Sequence, residues 1–289
     1  MSDFFNVLDI LRLIKKFELS GILKDAAVKL PVEKDNFKIT IPKYEFNSNE
    51  SDIPRLHCMI EIFVNKNFVI YIIIDASNKI VMPGLINCHT HLGMSIFRAT
   101  NDNLTLDEWL NNKIWPIEDK LTDNDIYYAT LLSCIEMIKT GTVMSNDMYF
   151  GCDGSIKAIK ETKTRSLFGR CLMDIDGKGE ERIDDFNRLY NKYKDDELIK
   201  FSIAPHALYT CSLEYLKKCS DLALELNLPY HIHFCENINE VDTIKEKYKI
   251  DPIDVIEKLG LFKNKLILAH TTFISKDKLF KLKNHDISF

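Results

Sequence analysis

The chain has 289 residues, of which 46% are hydrophobic and 28% charged, with 43 acidic against 38 basic side chains and a formal net charge of −5. That is the composition of a globular protein long enough for one large domain or two ordinary ones, and it excludes a disordered chain. No basic excess is present to hold nucleic acid or an anionic membrane surface, so neither is expected as a partner.

Residues 4–14 place Phe4, Val7, Leu8, Leu11 and Ile14 at helical spacing. The same stretch carries Asp9, follows Asp3, and lacks a basic start and a small-residue cleavage site, so it does not read as a secretion signal. Residues 31–55 mix Pro, Asn, Ser and charge around a short alternating stretch, FKITI, and residues 1–70 match no recognisable module. The longest apolar run, Phe68 to Ile74, is seven residues, against the roughly twenty that a membrane helix needs. Eight cysteines lie scattered without a CxxC pair. With no secretion signal they are expected as reduced, buried thiols, and the protein as cytoplasmic.

From residue 79 the pattern becomes regular. KIVMPGLINCH reads as a buried strand ending in histidine. LTDNDIYYATLLSCIEMIKTG reads as a helix, with Thr122 as N-cap, Asp125 three residues on, and Gly141 past the last turn. TVMSNDMYF, SLFGRCLMD and IKFSIAPHA are further strands. LEYLKKCSDLALELN is a helix before the strand LPYHIHFCE. DVIEKLG ends a helix, KLILAHTT is a sixth strand, SKDKLFKLKNH is helical, and DISF opens a seventh strand. Strands alternating with helices predict an α/β fold with a parallel sheet. Chemically able side chains recur at strand C-termini: His89 and His91, Asp147, Asp174, His206, His233 with Glu236, and His270. A (β/α)₈ barrel of the TIM type builds its site on that face, whereas a doubly wound sheet concentrates it at one switch point. No Gly-rich phosphate loop is present.

His89 and His91 are two residues apart, so their side chains leave one face of a strand, and His231 and His233 repeat that spacing. Converging strand ends would let such imidazoles share one cation, with only one of His231 and His233 needed as a ligand. Zinc, iron and nickel all accept imidazole, so one divalent transition metal is expected, zinc first.

At these residues the sequence resembles the amidohydrolase superfamily: PGLINCHTH is similar to its first-strand HxH signature, and HIHFCE and LAH to its fifth- and sixth-strand motifs. Within it, DEWLNNKIWPIEDKLT, SNDMYF, SIAPHALYT and ILAHTTFIS resemble the methylthioadenosine/S-adenosylhomocysteine deaminase group, over roughly residues 72–289. The resemblance implies a metal-dependent hydrolytic deaminase of an adenosine-type nucleoside. It implies His89, His91 and His233 as metal ligands, Glu236 as the proton shuttle, and His270 as the group that orients the attacking hydroxide. Trp109 and Glu118 correspond to the pair that packs on the nucleoside and binds the ribose hydroxyls, and His206 to a substrate contact. Arg170 and Arg182 are further substrate-contact candidates placed by spacing. Read from the residues alone, Trp109 also fits a core aromatic and Glu118 an acid favoured at a helix start. Asp147 and Asp174 fit loop or N-cap roles. The expected partner is a small-molecule substrate, and the resemblance allows a homo-oligomer.

Two departures from the family pattern stand out. The family's metal site is completed by an Asp on an eighth strand, whereas Phe289 falls inside strand seven. Residues 71–289 are therefore expected to form an incomplete barrel, strands one to about seven, and residues 1–70 do not read as the family's usual β-sandwich. The competing expectations are cleavage of another C–N or C–Cl bond on a heteroaromatic ring, and an inactive truncated fragment that lacks the last ligand.

Overall fold

The computed structural model describes residues 37–40, 57–63, 69–75, 83–100 and 103–289. The chain divides into two compact units, Met1–Pro83 and Gly84–Phe289. In the first, β1 (Phe37–Thr40), β2 (His57–Phe63) and β3 (Val69–Asp75) form an antiparallel sheet in the order β1-β2-β3. Phe37 opposes Ile62 at one seam, and His57 to Phe63 oppose Asp75 to Val69 at the other. The β-branched run of β3 favours such a strand. β3 pairs with β2 along its whole length, and both strands fall in the first unit. The first four residues of FKITI supply β1; the helical pattern over residues 4–14 lies outside the described residues.

The second unit runs β4 (Leu85–Thr90), a 3₁₀ stretch (Leu92–Phe97), α1 (Leu106–Trp109), α2 (Trp115–Glu118), α3 (Asp123–Thr140), β5 (Thr142–Tyr149), α4 (Cys152–Thr162), β6 (Arg165–Leu172), α5 (Gly179–Tyr193), β7 (Ile199–Pro205), α6 (Leu213–Leu226), β8 (Tyr230–Phe234), α7 (Ile238–Tyr248), α8 (Pro252–Lys258), β9 (Leu266–His270), α9 (Lys276–Leu282) and β10 (Ile287–Ser288). All seven strands are parallel and lie in sequence order. This is the (β/α) barrel wall that the alternation predicts, carried through seven strands. Among the described residues β4 and β10 are its edges, and Leu85 and Ile86 on β4 are exposed.

Local signals explain the framework. Thr122 caps α3, its hydroxyl accepting from the Asp125 N–H, while the Asp125 carboxylate accepts from the Thr122 N–H at 2.9 Å. Gly141 ends α3 in the left-handed conformation, φ 82°, which glycine adopts without steric cost. Phe168, Ile203, Ile232 and Phe234 from the sheet pack with Ile156, Phe186 and Leu216 from α4, α5 and α6 in one core. Helix α4 begins close against α3: a Cβ on Gly154 would stand 2.1 Å from the Asp123 carbonyl oxygen.

That contact gives a stability prediction. Alanine favours a helix interior over glycine by about 1 kcal/mol, but the obstacle here is backbone and cannot rotate away. Gly154→Ala is expected to lose about 1–3 kcal/mol net, as overpacking does, read as a lower urea midpoint. A midpoint equal to or above wild type would show that α3 and α4 do not approach this closely.

Candidate metal centre and active-site cavity

Every residue of β8 is buried, and the period of two sorts them. The Tyr230 hydroxyl donates to the Leu216 carbonyl of α6 at 3.3 Å, and Ile232 and Phe234 join the helix-side core. His231 and His233 therefore face the interior. His89 on β4 meets them there, although β4 and β8 stand four places apart in the sheet. The sheet must curl back on itself for this to happen, as a barrel wall does.

The imidazoles converge. His91 Nε2 lies 3.2 Å from His233 Nε2. One ring nitrogen from each of His89, His233 and His270 falls within 4.8 Å of the others. Behind them, His233 Nδ1 donates to the His206 carbonyl at 2.7 Å, and His91 Nδ1 donates to the Met148 carbonyl. A carbonyl only accepts, so these rings carry their protons on Nδ1 and leave the Nε2 lone pairs facing inward. His89 Nδ1 lies 2.9 Å from His231 Nε2, and His89 Nε2 is buried with no hydrogen-bond partner among the described residues.

Burial holds every ring of the cluster below its ordinary pKa, His89 and His233 far below, His206 at about 4, and His91 and His270 in the same direction. Neighbouring imidazoles add to the effect at His89, His233 and His206, and at His91 the Met148 contact opposes it. Neutral imidazoles with inward lone pairs and an orphaned buried nitrogen form a donor set that fits a divalent transition metal.

These side chains open into a cavity of about 550 Å³ whose wall also contains His206, Glu236, Trp109, Glu118 and Tyr149. Glu236 sits just past β8, after Cys235 in the left-handed region (φ 50°). Glu240 accepts from the Glu236 N–H at 2.8 Å, and Thr272 and Phe273 donate to the Cys235 carbonyl. Burial raises the Glu236 carboxyl above its usual range, with Asp107 adding to it. His270 and Thr271, φ 72° and 53°, turn the chain at the end of β9 and bring His270 Nε2 to 3.6 Å from Glu236 Oε1. Such backbone strain in non-glycine residues clusters at functional sites.

Trp109 and Glu118 reach the wall on a short irregular segment. Thr105 and Glu108 form a capping box at the start of α1, and a wide π-type turn, Leu110–Ile114, precedes α2. Pro116 at the start of α2 lacks an N–H to continue the regular ladder. The Tyr149 hydroxyl donates to Glu118 at 2.5 Å, while burial raises the Glu118 carboxyl.

The structure thus brings together His89, His91, His233, His270, Glu236, His206, Trp109 and Glu118. The cavity wall does not include Arg170 or Arg182. Arg170 pairs with Asp185 at 3.1 Å, and Arg182 pairs with Asp176 and donates to the Met173 carbonyl. Asp174 accepts from the N–H and hydroxyl of Ser212 at the start of α6, and Asp147 accepts from the Leu92 N–H at 2.8 Å, both loop-fixing roles. His231 and Tyr149 carry no separate signal in the sequence: His231 shares its spacing with His233, and Tyr149 reads as strand.

The fold and site define a class, and the chain belongs to the amidohydrolase family, whose model matches residues 80–288. Among curated relatives it is 40% identical over 221 residues to the 5'-deoxyadenosine deaminase of Methanococcus aeolicus, covering 75% of this chain and 52% of that protein. It is 40% identical over 218 residues to the 5-methylthioadenosine/S-adenosylhomocysteine deaminase of Carboxydothermus hydrogenoformans, covering 74% and 50%. A solved adenosine deaminase from Xanthomonas campestris with bound zinc aligns with a TM-score of 0.69 at 26% identity, over 79% of this chain and 56% of that one. The chain spans about half the length of the curated relatives it matches.

Asp147 gives a pH prediction. It is fully buried, one carboxylate oxygen has no partner among the described residues, and desolvation pushes its pKa to about 7 against an ordinary 3.8. A folded-state pKa above the unfolded one contributes stability that is complete below about pH 4 and lost as pH rises through about 7. The buried histidines, their pKa values lowered, act in the opposite sense and add stability to metal-free protein as pH rises, so Asp147 is read by difference: Asp147→Asn is expected to make the slope of stability against pH more positive between pH 5 and about 7 in chemical denaturation. An unchanged slope would assign the effect elsewhere, with Glu240, also raised to about 7, the next group to test.

Proposed function

We propose that this chain carries the metal-binding half of a hydrolytic deaminase for an adenosine-type nucleoside. The observation that carries the reading is the convergence of His89, His91, His233 and His270 with Glu236 in one cavity that also holds Trp109 and Glu118. The names of the Methanococcus and Carboxydothermus relatives support the substrate class, and the zinc-bound Xanthomonas structure supports zinc as the metal.

A divalent metal held by His89, His91 and His233 would supply hydroxide at neutral pH. Glu236, its carboxyl raised by burial, is suited to take up a proton and pass it to the departing amine nitrogen. His270 stays neutral because burial lowers its pKa, and from 3.6 Å it can hydrogen-bond the same oxygen nucleophile that Glu236 serves. Trp109 offers an aromatic face to the purine or sugar. Glu118, pinned by Tyr149, offers carboxylate oxygens to ribose hydroxyls. His206 is anchored through Nδ1 to Thr210 at 2.8 Å and leaves Nε2 for the substrate. With Arg170 and Arg182 paired outside the wall, no substrate contact is assigned to them.

Zinc-loaded protein is expected to convert 5'-methylthioadenosine, 5'-deoxyadenosine or adenosine to the inosine analogue, read as loss of adenine absorbance with equimolar ammonia. Glu236→Gln is expected to cut kcat by about 10²–10⁴-fold, the usual contribution of a positioned proton-transfer group. Folded protein that binds zinc yet leaves these nucleosides and S-adenosylhomocysteine unchanged would overturn the reading.

A further inference from the structure

We infer that His231 is a positioning residue for the metal centre: it accepts the Nδ1 proton of His89 and so fixes His89 in the tautomer whose Nε2 faces the cavity. The inference rests on the proposed role of His89 as a metal ligand.

His231 is wholly buried, and its Nε2 lies 2.9 Å from His89 Nδ1, with the two rings nearly perpendicular. It does not line the cavity. One of the two facing nitrogens must hold the shared proton. If His231 held it, His89 Nδ1 would be the acceptor and the single ring proton of neutral His89 would sit on Nε2, blocking that lone pair. If His89 holds it, Nε2 is free to bind a cation and the proton of His231 sits on its own Nδ1. Only the second arrangement is compatible with a ligand.

The contrast with the neighbouring rings sharpens the assignment. His91 and His233 each give their Nδ1 proton to a main-chain carbonyl, Met148 and His206. A carbonyl leaves no choice of tautomer. The partner of His89 is instead a second imidazole, which can either accept or donate. It comes from β8, across the interior, 142 residues along the chain. His89 is therefore the one ring of the three whose ligand state depends on a side chain. His231 has no partner for its own Nδ1 among the described residues, so the pair gains its order from the His89 contact alone. A histidine kept merely to fill the core would be replaceable by an apolar residue of similar size, whereas an acceptor would not.

The test uses the full chain and zinc itself. Zinc affinity is measured on metal-free protein by competition with a chromophoric chelator, with a thermal melt to confirm folding. His231→Leu keeps volume and removes the acceptor, and zinc affinity is expected to fall about 10–100-fold, the usual cost of losing such an outer partner. His231→Gln places an amide oxygen near the position of Nε2 and is expected to stay within about threefold of wild type, because the Nδ1 proton keeps an acceptor. Equal loss in both variants, or no loss in His231→Leu, would overturn the inference while leaving the metal centre intact. Failure of wild type to bind zinc would overturn the metal centre and the inference with it. Should His231→Leu not fold, long-range ¹H–¹⁵N spectra of zinc-loaded wild type decide: a proton on His89 Nδ1 supports the inference, and a proton on His89 Nε2 or metal on Nδ1 overturns it.

Discussion

The second unit depends on one requirement: β4 and β8, remote in the sheet, must bring their imidazoles into contact across its interior. His89 meets His231, and His91 meets His233. A flat sheet would hold strands four places apart nearly 20 Å from one another, at a spacing of about 4.8 Å per strand. The curl that removes this separation is imposed by strand twist and by the core packed between sheet and helices. The same curl gathers the ends of β7 and β9, which is how His206 and His270 join the wall.

Burial then sets the charge state of what has been gathered. The interior holds six histidines, and their low pKa values mean that at neutral pH it contains lone pairs rather than cations. The carboxyls respond in the opposite sense: Glu118, Glu236 and Glu240 are all raised by the same desolvation. One physical cause thus leaves the imidazoles as lone pairs and raises the carboxyls, as the proposed ligand set and proton carrier both need, and it requires no charged partner for either. The left-handed backbone at Cys235 and His270 is the steric cost of aiming these groups inward.

The sequence displays some of this plainly and hides the rest. Strands were legible because parallel strands buried on both faces read as apolar runs, and the histidines stood out by ending them. Helix α3 was legible through Thr122, Asp125 and Gly141. Helices α4 and α5 begin at Gly151 and Lys178 without a side-chain cap, so no start signal marks them. Helix α7 does have a cap, Asn237 accepting from Glu240 N–H, but it follows the histidine strand within a few residues and merges with it in the sequence. The partners of Arg170 and Arg182, Asp185 and Asp176, lie on or just before α5, and spacing alone does not reveal such pairs. His231 was visible as one of a pair, but which of the two faced the cavity depends on register across the interior, and local sequence does not encode that.

The wide turn at Leu110–Ile114 has a consequence for helical phase. Trp109 and Glu118 are nine positions apart, and a regular α-helix turns about 100° per residue, so an unbroken helix would send them to opposite sides. Both nevertheless line one cavity. A π-type turn winds more slowly and takes up part of that half-rotation within five residues. The aromatic and the carboxylate therefore share a target because the wide turn absorbs one residue without the rotation that residue would add in a regular helix, where eight positions come to about 80° and nine to about 180°.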